Sequence, residues 1–528
     1  MMLWIALAWG APWSDGTEAA IGETSGWTNK TALADLNGDG RLDLLFANGG
    51  DYASPGDPEQ SQIFFNNGDG TFTDRSDEVL GTLVGHTRAI KAADLNGDGF
   101  VDLFLANAYG MASFLLLGDG SGGFAEHPEL LPDVAGSFGD VEVGDVDGDG
   151  DLDLALADWG TGNPMSNEGG SVQVWINDGG EFSVAATPSV PRGMSWDMEL
   201  ADVDNDADLD ALMSCKVCDG GALLLNDGAG VFTDASDQLP QSANNYDYEA
   251  MDLDGDGDLD LTTINDGAGL QETVLENDGG TFTDVSASWW PESENLGLDD
   301  NVLVYLDYDS DGDADLLVGS LSEPDRLLLN DGTGTLALVT EQVLDGPDSY
   351  GTLGMAVGDL NEDGRSDVVM SQGEVDWPEL IFFGTDAPVD TAPPVIALLT
   401  EGLSDGAEIR SIARVHDNHS PISNVEFSRV DLEWEDDAGA AHTEAMTWMG
   451  EYLWQVTWTG TAVRARVCAD DAAGNEACSD WTGADNGDTD ANDDPPPSCG
   501  CRSGTVAFGW ALTAFPFVIQ LMRRRRNQ

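Results

Sequence analysis

One nine-residue pattern, D-x-[DN]-x-D-[GA]-x-x-D, occurs seven times, starting at Asp35, Asp94, Asp145, Asp202, Asp252, Asp307 and Asp359. The starts lie 50 to 59 residues apart. A repeat of that length confines the chain to architectures in which one small unit packs on copies of itself. Seven coincidences at one period do not arise by chance.

The sequence around each loop follows one grammar. An alternating run leads in (Val141-Glu-Val-Gly, Met198-Glu-Leu-Ala, Val302-Leu-Val-Tyr) and an apolar run leads out (Leu42-Asp-Leu-Leu-Phe, Val101-Asp-Leu-Phe-Leu). Period-two runs of this kind are half-buried strands. A third run ends in a turn signal (Leu223-Leu-Leu-Asn-Asp-Gly, Leu327-Leu-Leu-Asn-Asp-Gly), and a fourth begins with an aromatic (Thr71-Phe-Thr-Asp, Thr281-Phe-Thr-Asp). Four antiparallel strands seven times over predict a seven-bladed β-propeller across residues 13–385. The last repeat lacks its fourth strand, and Trp13-Ser-Asp-Gly-Thr matches the missing one. An N-terminal strand completing the last blade would close the ring and remove its open edges.

The loops have the chemistry of an oxygen cage for a hard cation. Positions 1, 3, 5 and 9 supply Asp35, Asn37, Asp39 and Asp43; Asp94, Asn96, Asp98 and Asp102; Asp145, Asp147, Asp149 and Asp153; Asp202, Asp204, Asp206 and Asp210; Asp252, Asp254, Asp256 and Asp260; Asp307, Asp309, Asp311 and Asp315; Asp359, Asn361, Asp363 and Asp367. Position 7 would offer its backbone carbonyl, so Arg41, Phe100 and Arg365 serve there as well as Asp151, Asp208, Asp258 and Asp313. All-oxygen donors without His or Cys select Ca²⁺ over zinc or copper. Up to seven structural Ca²⁺ are expected. No bidentate Glu at position 12 and no flanking helices are present, which argues against an opening sensor. Ala207 in place of glycine weakens the fourth loop, and Asn361 with Arg365 lowers the charge of the seventh.

These loops, with the Asn-Asp-Gly and Phe-Thr-Asp segments, resemble the FG-GAP/VCBS repeat family, including the calcium-loop blades of integrin α-subunit heads. The resemblance implies the propeller and its calcium sites. It does not name a function, since such propellers serve adhesion, ligand binding, polysaccharide-degrading enzymes and scaffolding. No Arg-Gly-Asp triplet occurs.

Beyond the linker at Asp390-Thr-Ala-Pro-Pro, alternating runs predict a small β-sandwich over residues 391–483, and its closing hairpin looks immunoglobulin-like or fibronectin-III-like. Cys468 and Cys478 flank the Ala-Gly-Asn turn and are expected to form a disulfide. Cys215-Lys-Val-Cys218 supports a local disulfide over metal or redox chemistry, because no βαβ context surrounds it. Both pairs suit an oxidising compartment.

Residues 1–10 read as a short signal peptide, although they lack a basic start. Residues 484–498 form an acidic, Pro-ended linker that should be disordered. Cys499 and Cys501 precede an apolar span (506–522) and Arg523-Arg-Arg-Arg526. Such a span predicts a C-terminal transmembrane helix, with the arginines holding the end in the cytoplasm. The tail resembles the MYXO-CTERM class of bacterial sorting signals, which implies cleavage near Cys499 or Cys501 and a processed anchor at the cell surface.

Function is less constrained. The chain holds 19 Lys+Arg against 99 Asp+Glu, a formal charge of −80, which argues against nucleic acid. The seven loops hold about a third of these acids, so seven Ca²⁺ would leave the protein strongly anionic. The five histidines show no zinc spacing, and no Ser-centred elbow or phosphate loop occurs. The expected role is an exported, membrane-anchored adhesion or ligand-binding propeller for a surface glycan or protein. A polysaccharide lyase or hydrolase on the same ring and a non-catalytic scaffold are the alternatives. Trp159, Trp289 and Trp290 are candidates for a stacking surface, with core packing as their commoner fate.

Overall fold

Each repeat folds as the alternation dictates. The computed structural model describes residues 11–50, 54–134, 136–160, 169–240, 243–265, 267, 269–321, 324–339, 343–345, 351–373, 378–400, 405–423 and 425–483. The signal segment and everything from residue 484 onward, Cys499, Cys501 and the apolar span included, lie outside them. Among the described residues no helix is long and apolar enough to cross a membrane.

Seven sheets, each built on four antiparallel strands, form the ring. Blade 1 runs from the inner strand Thr28–Ala34 through Asp43–Asn48 and Gln62–Asn66 to Phe72–Asp74. The inner strands of blades 2 to 7 are Thr87–Ala93, Phe138–Gly144, Met198–Ala201, Ala243–Met251, Asp300–Leu306 and Thr352–Gly358. In all seven blades the second strand starts on the ninth residue of the Asp loop. Side chains from facing blades make the core; Leu44, Phe46 and Phe64 of blade 1, for instance, pack with Leu360, Val369 and Ile381 of blade 7.

The ring closes as the defective last repeat required. Trp13–Asp15 pairs antiparallel with Leu380–Phe383 and serves as the fourth strand of blade 7, with Ser14 opposite Phe383. Trp13 is fully buried, and its Nε1 donates to the Ser366 carbonyl at 2.7 Å. The segment Cys215–Asp219 follows the second strand of blade 4 in sequence, yet it pairs with the inner strand of blade 5. Disulfides join Cys215 to Cys218 and Cys468 to Cys478.

The β-domain that follows is built on one long strand, Leu453–Asp471. Its first half pairs with Asp405–His416 and its second half with Phe427–Asp436, so a single strand takes part in two ladders. Trp434, Trp458, Leu432 and Val467 fill the space between them. Propeller and β-domain belong to one compact unit.

Candidate metal centres in the repeat loops

The loops sit on one face of the ring, each between an inner and a second strand. Position 1 shapes the loop. Asp252 Oδ1 accepts the Gly255 N–H at 2.8 Å and its Oδ2 the Gly257 N–H at 3.0 Å, and Asp35, Asp145 and Asp359 make comparable bonds. These turns aim the carboxylates at positions 1 and 3 toward one point.

Position 9 behaves differently from a free ligand. Asp260 accepts Leu253 N–H at 3.0 Å and Asn277 N–H at 2.8 Å, one on each oxygen. Asp43, Asp102, Asp153, Asp210, Asp315 and Asp367 repeat that pair of bonds. The carboxylate therefore fastens the loop to the third strand of its own blade. Burial pushes Asp260 up to about 8 and Asp210 up to about 9, a position that a nearby cation would relieve.

The carboxylates converge in four loops. Asp145, Asp147 and Asp153; Asp202, Asp204 and Asp206; Asp252, Asp254 and Asp260; and Asp307, Asp309 and Asp311 each offer oxygens within 4.8 Å of one another. Asn37, Asn96 and Asn361 hold position 3 in the first, second and seventh loops, which leaves fewer carboxylates there. The fit to a hard cation is supported by unpaired oxygens: Asp202 Oδ1, Asp204 Oδ1 and Asp208 Oδ1 are buried without a hydrogen-bond partner. Ala207 takes a positive φ of 70° in the place of glycine, so the fourth loop keeps its turn with local strain.

Arginines modulate several loops. Arg41 pairs with Asp39, and Arg365 with Asp363 at 3.3 Å, so each position-7 arginine partly neutralises position 5 of its own loop. Two more come from the β-domain. Arg410 Nη2 lies 3.0 Å from Asp145 Oδ2, and Arg414 Nη2 lies 3.1 Å from Asp202 Oδ2 and 2.8 Å from Asn205 Oδ1. The fifth and sixth loops carry five acids each, and among the described residues none of those acids pairs with an arginine, although Arg414 Nη1 donates to the Gly257 carbonyl of the fifth loop at 2.6 Å.

These contacts belong to a docking surface that sequence reasoning missed. Asn418 Nδ2 donates to the Gly312 carbonyl in the sixth loop, Asp390 N–H to Gly364 in the seventh, and Asp145 N–H in the third to the Met449 carbonyl. Tyr452 Oη reaches the Ala250 carbonyl, and buried His416 packs on the Tyr452 ring. The β-domain thus covers the loop-bearing mouth of the ring. No local pattern marks this, since Arg414 and Asp202 are far apart in the chain. A further acidic group, Asp390, Asp417 and Asp471, converges at the same junction and also has no signature.

The three tryptophans do not make an open stacking surface. Trp159 and Trp290 are fully buried, and Trp289 is partly so. Trp159 stacks on Trp196, with the Arg88 guanidinium over both rings.

Residues 35–105, 94–156 and 307–370 match the FG-GAP-like repeat. No curated protein matches the chain. Among solved structures, an Agrocybe aegerita lectin that recognises non-reducing terminal N-acetylglucosamine aligns at 19% identity and TM-score 0.42, over 60% of this chain and 82% of that one. BBS1N, crystallised with ARL6DN, aligns at 12% identity and TM-score 0.43, over 70% and 96%. The Photorhabdus luminescens Tc holotoxin pore aligns at 13% identity and TM-score 0.33, over 81% of this chain and 22% of that one. Likeness at this distance carries no information on ligands.

Proposed function

We propose that this FG-GAP-repeat β-propeller is a calcium-stabilised binding module, displayed at a cell surface and engaging a glycan or protein through the face opposite its Asp loops. The carrying observation is the division between the two faces. One holds the converging carboxylates and is covered by the β-domain through Arg410, Arg414 and Asn418. The other face, at the opposite ends of the same strands, lies away from the metal loops, so contacts made there would not disturb them.

In the loops, positions 1 and 3 would hold Ca²⁺, joined by position 5 in the fourth and sixth loops, and position 9 would add its charge while remaining bonded to the backbone. Bound calcium would supply the positive charge that lets several carboxylates share one turn. At a calcium concentration tenfold above Kd, each filled site adds about 1.4 kcal/mol. Melting in calcium and in EDTA tests this: a fall of many degrees on chelation is expected, and an unchanged Tm overturns the metal reading. Binding of the calcium-loaded protein to a glycan and matrix-protein array, with reducing-sugar release measured alongside, tests the function. Sugar release would replace a binder by an enzyme.

A further inference from the structure

Position 1 of the Asp loops meets two different environments. In the fifth and sixth loops, among the described residues, Asp252 and Asp307 accept hydrogen bonds only from N–H groups of their own loops. In the third loop Asp145 Oδ2 accepts from Gly150 N–H at 3.1 Å and also from two β-domain side chains, Arg410 Nη2 at 3.0 Å and Gln455 Nε2 at 2.6 Å. In the fourth, Asp202 Oδ2 lies 3.1 Å from Arg414 Nη2, which also donates to Asn205 Oδ1 of the same loop at 2.8 Å. The Asp145 and Asp202 side chains are fully buried, and that of Arg414 is 3% exposed.

A guanidinium placed there does electrostatically part of what a metal ion does. It sets a positive charge against the first carboxylate of the loop, away from water, where charges are weakly screened. A Ca²⁺ drawn to the same carboxylate would meet that charge at close range, so each cation weakens the hold on the other. Arg414 serves its loop only in part, because Asp202 Oδ1, Asp204 Oδ1 and Asp208 Oδ1 stay buried without a hydrogen-bond partner, and the pull on a divalent ion remains. Both arginines stand on the strand Asp405–His416, four residues apart and on one face of it. They leave the loops only if that strand lifts from the ring.

We propose that Arg410 and Arg414 stand in for the cation at the third and fourth loops, so that Ca²⁺ and the docked β-domain compete for Asp145 and Asp202. Resting on the calcium reading of the loops, this competition divides calcium's effects: ions in the fifth and sixth loops stiffen the ring, whereas ions in the third and fourth loosen its cover. The coupling is reciprocal, so docking weakens calcium binding at these two loops as much as calcium there weakens docking. Release would also uncover the axial channel, where Trp448 and Glu451 of the β-domain stand against Lys30, Lys91 and Asp140.

The test uses the full-length protein and two measurements over rising calcium at constant ionic strength: calcium bound per chain by equilibrium dialysis, and cleavage of the linker at residues 385–394 by a calcium-independent protease. At a calcium level that fills the unpaired loops of wild type, Arg410→Gln and Arg414→Gln are each expected to hold one ion more. Arg466→Gln, which removes a guanidinium paired with Glu433 elsewhere in the β-domain, is expected to match wild type. Linker cleavage of wild type is expected to rise with calcium and to fall back in EDTA. Should Arg414→Gln not fold, Arg410→Gln, at the more exposed of the two arginines, gives the same reading. Ions bound in equal number by wild type and the Arg410 and Arg414 variants overturn the competition and leave the calcium reading standing. Cleavage that does not rise with calcium overturns it as well, and a protein that binds no ion in any of these forms overturns both readings.

Discussion

Replacing Asn277 should weaken the ring far more than the loss of a turn residue would. Asn277 opens an Asn-Asp-Gly turn, but its side chain works elsewhere. Nδ2 donates to the Val203 carbonyl in the loop of blade 4 at 2.8 Å and to Leu259 in its own loop at 2.9 Å, and Oδ1 accepts Gly280 N–H at 2.8 Å. The residue is 1% exposed, so water cannot replace these bonds. At about 1 kcal/mol for each neutral bond lost from a buried site, Asn277→Ala should cost about 3 kcal/mol. Thermal and denaturant unfolding of the calcium-loaded protein would register this as a drop of several degrees. Asn277→Gly sharpens the comparison, because Gly118 and Gly384 stand at the matching positions of blades 2 and 7. If the asparagine only shaped its turn, glycine would be harmless. Both variants within about 0.5 kcal/mol of wild type would refute the inter-blade role.

Trp13→Ala removes a fully buried indole and its bond to Ser366, at the strand that joins the chain's start to blade 7. A loss of about 3–5 kcal/mol is expected, read from the unfolding midpoint. Arg414→Ala leaves buried Asp202 without its guanidinium and should cost about 3–5 kcal/mol. It should also open the linker at residues 385–394 to proteolysis. Arg414→Lys should not restore the docking, because one ammonium cannot span Asp202, Asn205 and Gly257 as the fork does. Equal protease resistance of wild type and Arg414→Ala would count against the latch.

Much of this molecule was legible before any coordinates. Blade number, loop positions, the aromatic-headed outer strands and the N-terminal closure all follow from a repeat whose strands alternate with period two. Residue roles within that frame were less legible. Position 9 of the loop reads as a ligand, yet in every blade it accepts two backbone N–H groups. Asn66, Asn177, Asn226, Asn277 and Asn330 read as turn residues, yet each donates to the loop of the preceding blade, and Asn66 bonds Leu360 across the closure. Trp159 and Trp290 read as candidates for a surface and are core.

The division has a physical origin. Alternation and turn chemistry are local, so the chain by itself determines which residues share a strand face and where an Asp-rich turn must form. Which groups meet across the ring depends on seven blades closing on one axis, a condition no window of sequence contains. Only the folded ring brings Asp140, Asp197 and Asp247 beside Lys30. Only the docked β-domain sets Arg410 and Arg414 on the third and fourth loops and seals Glu451 into the channel.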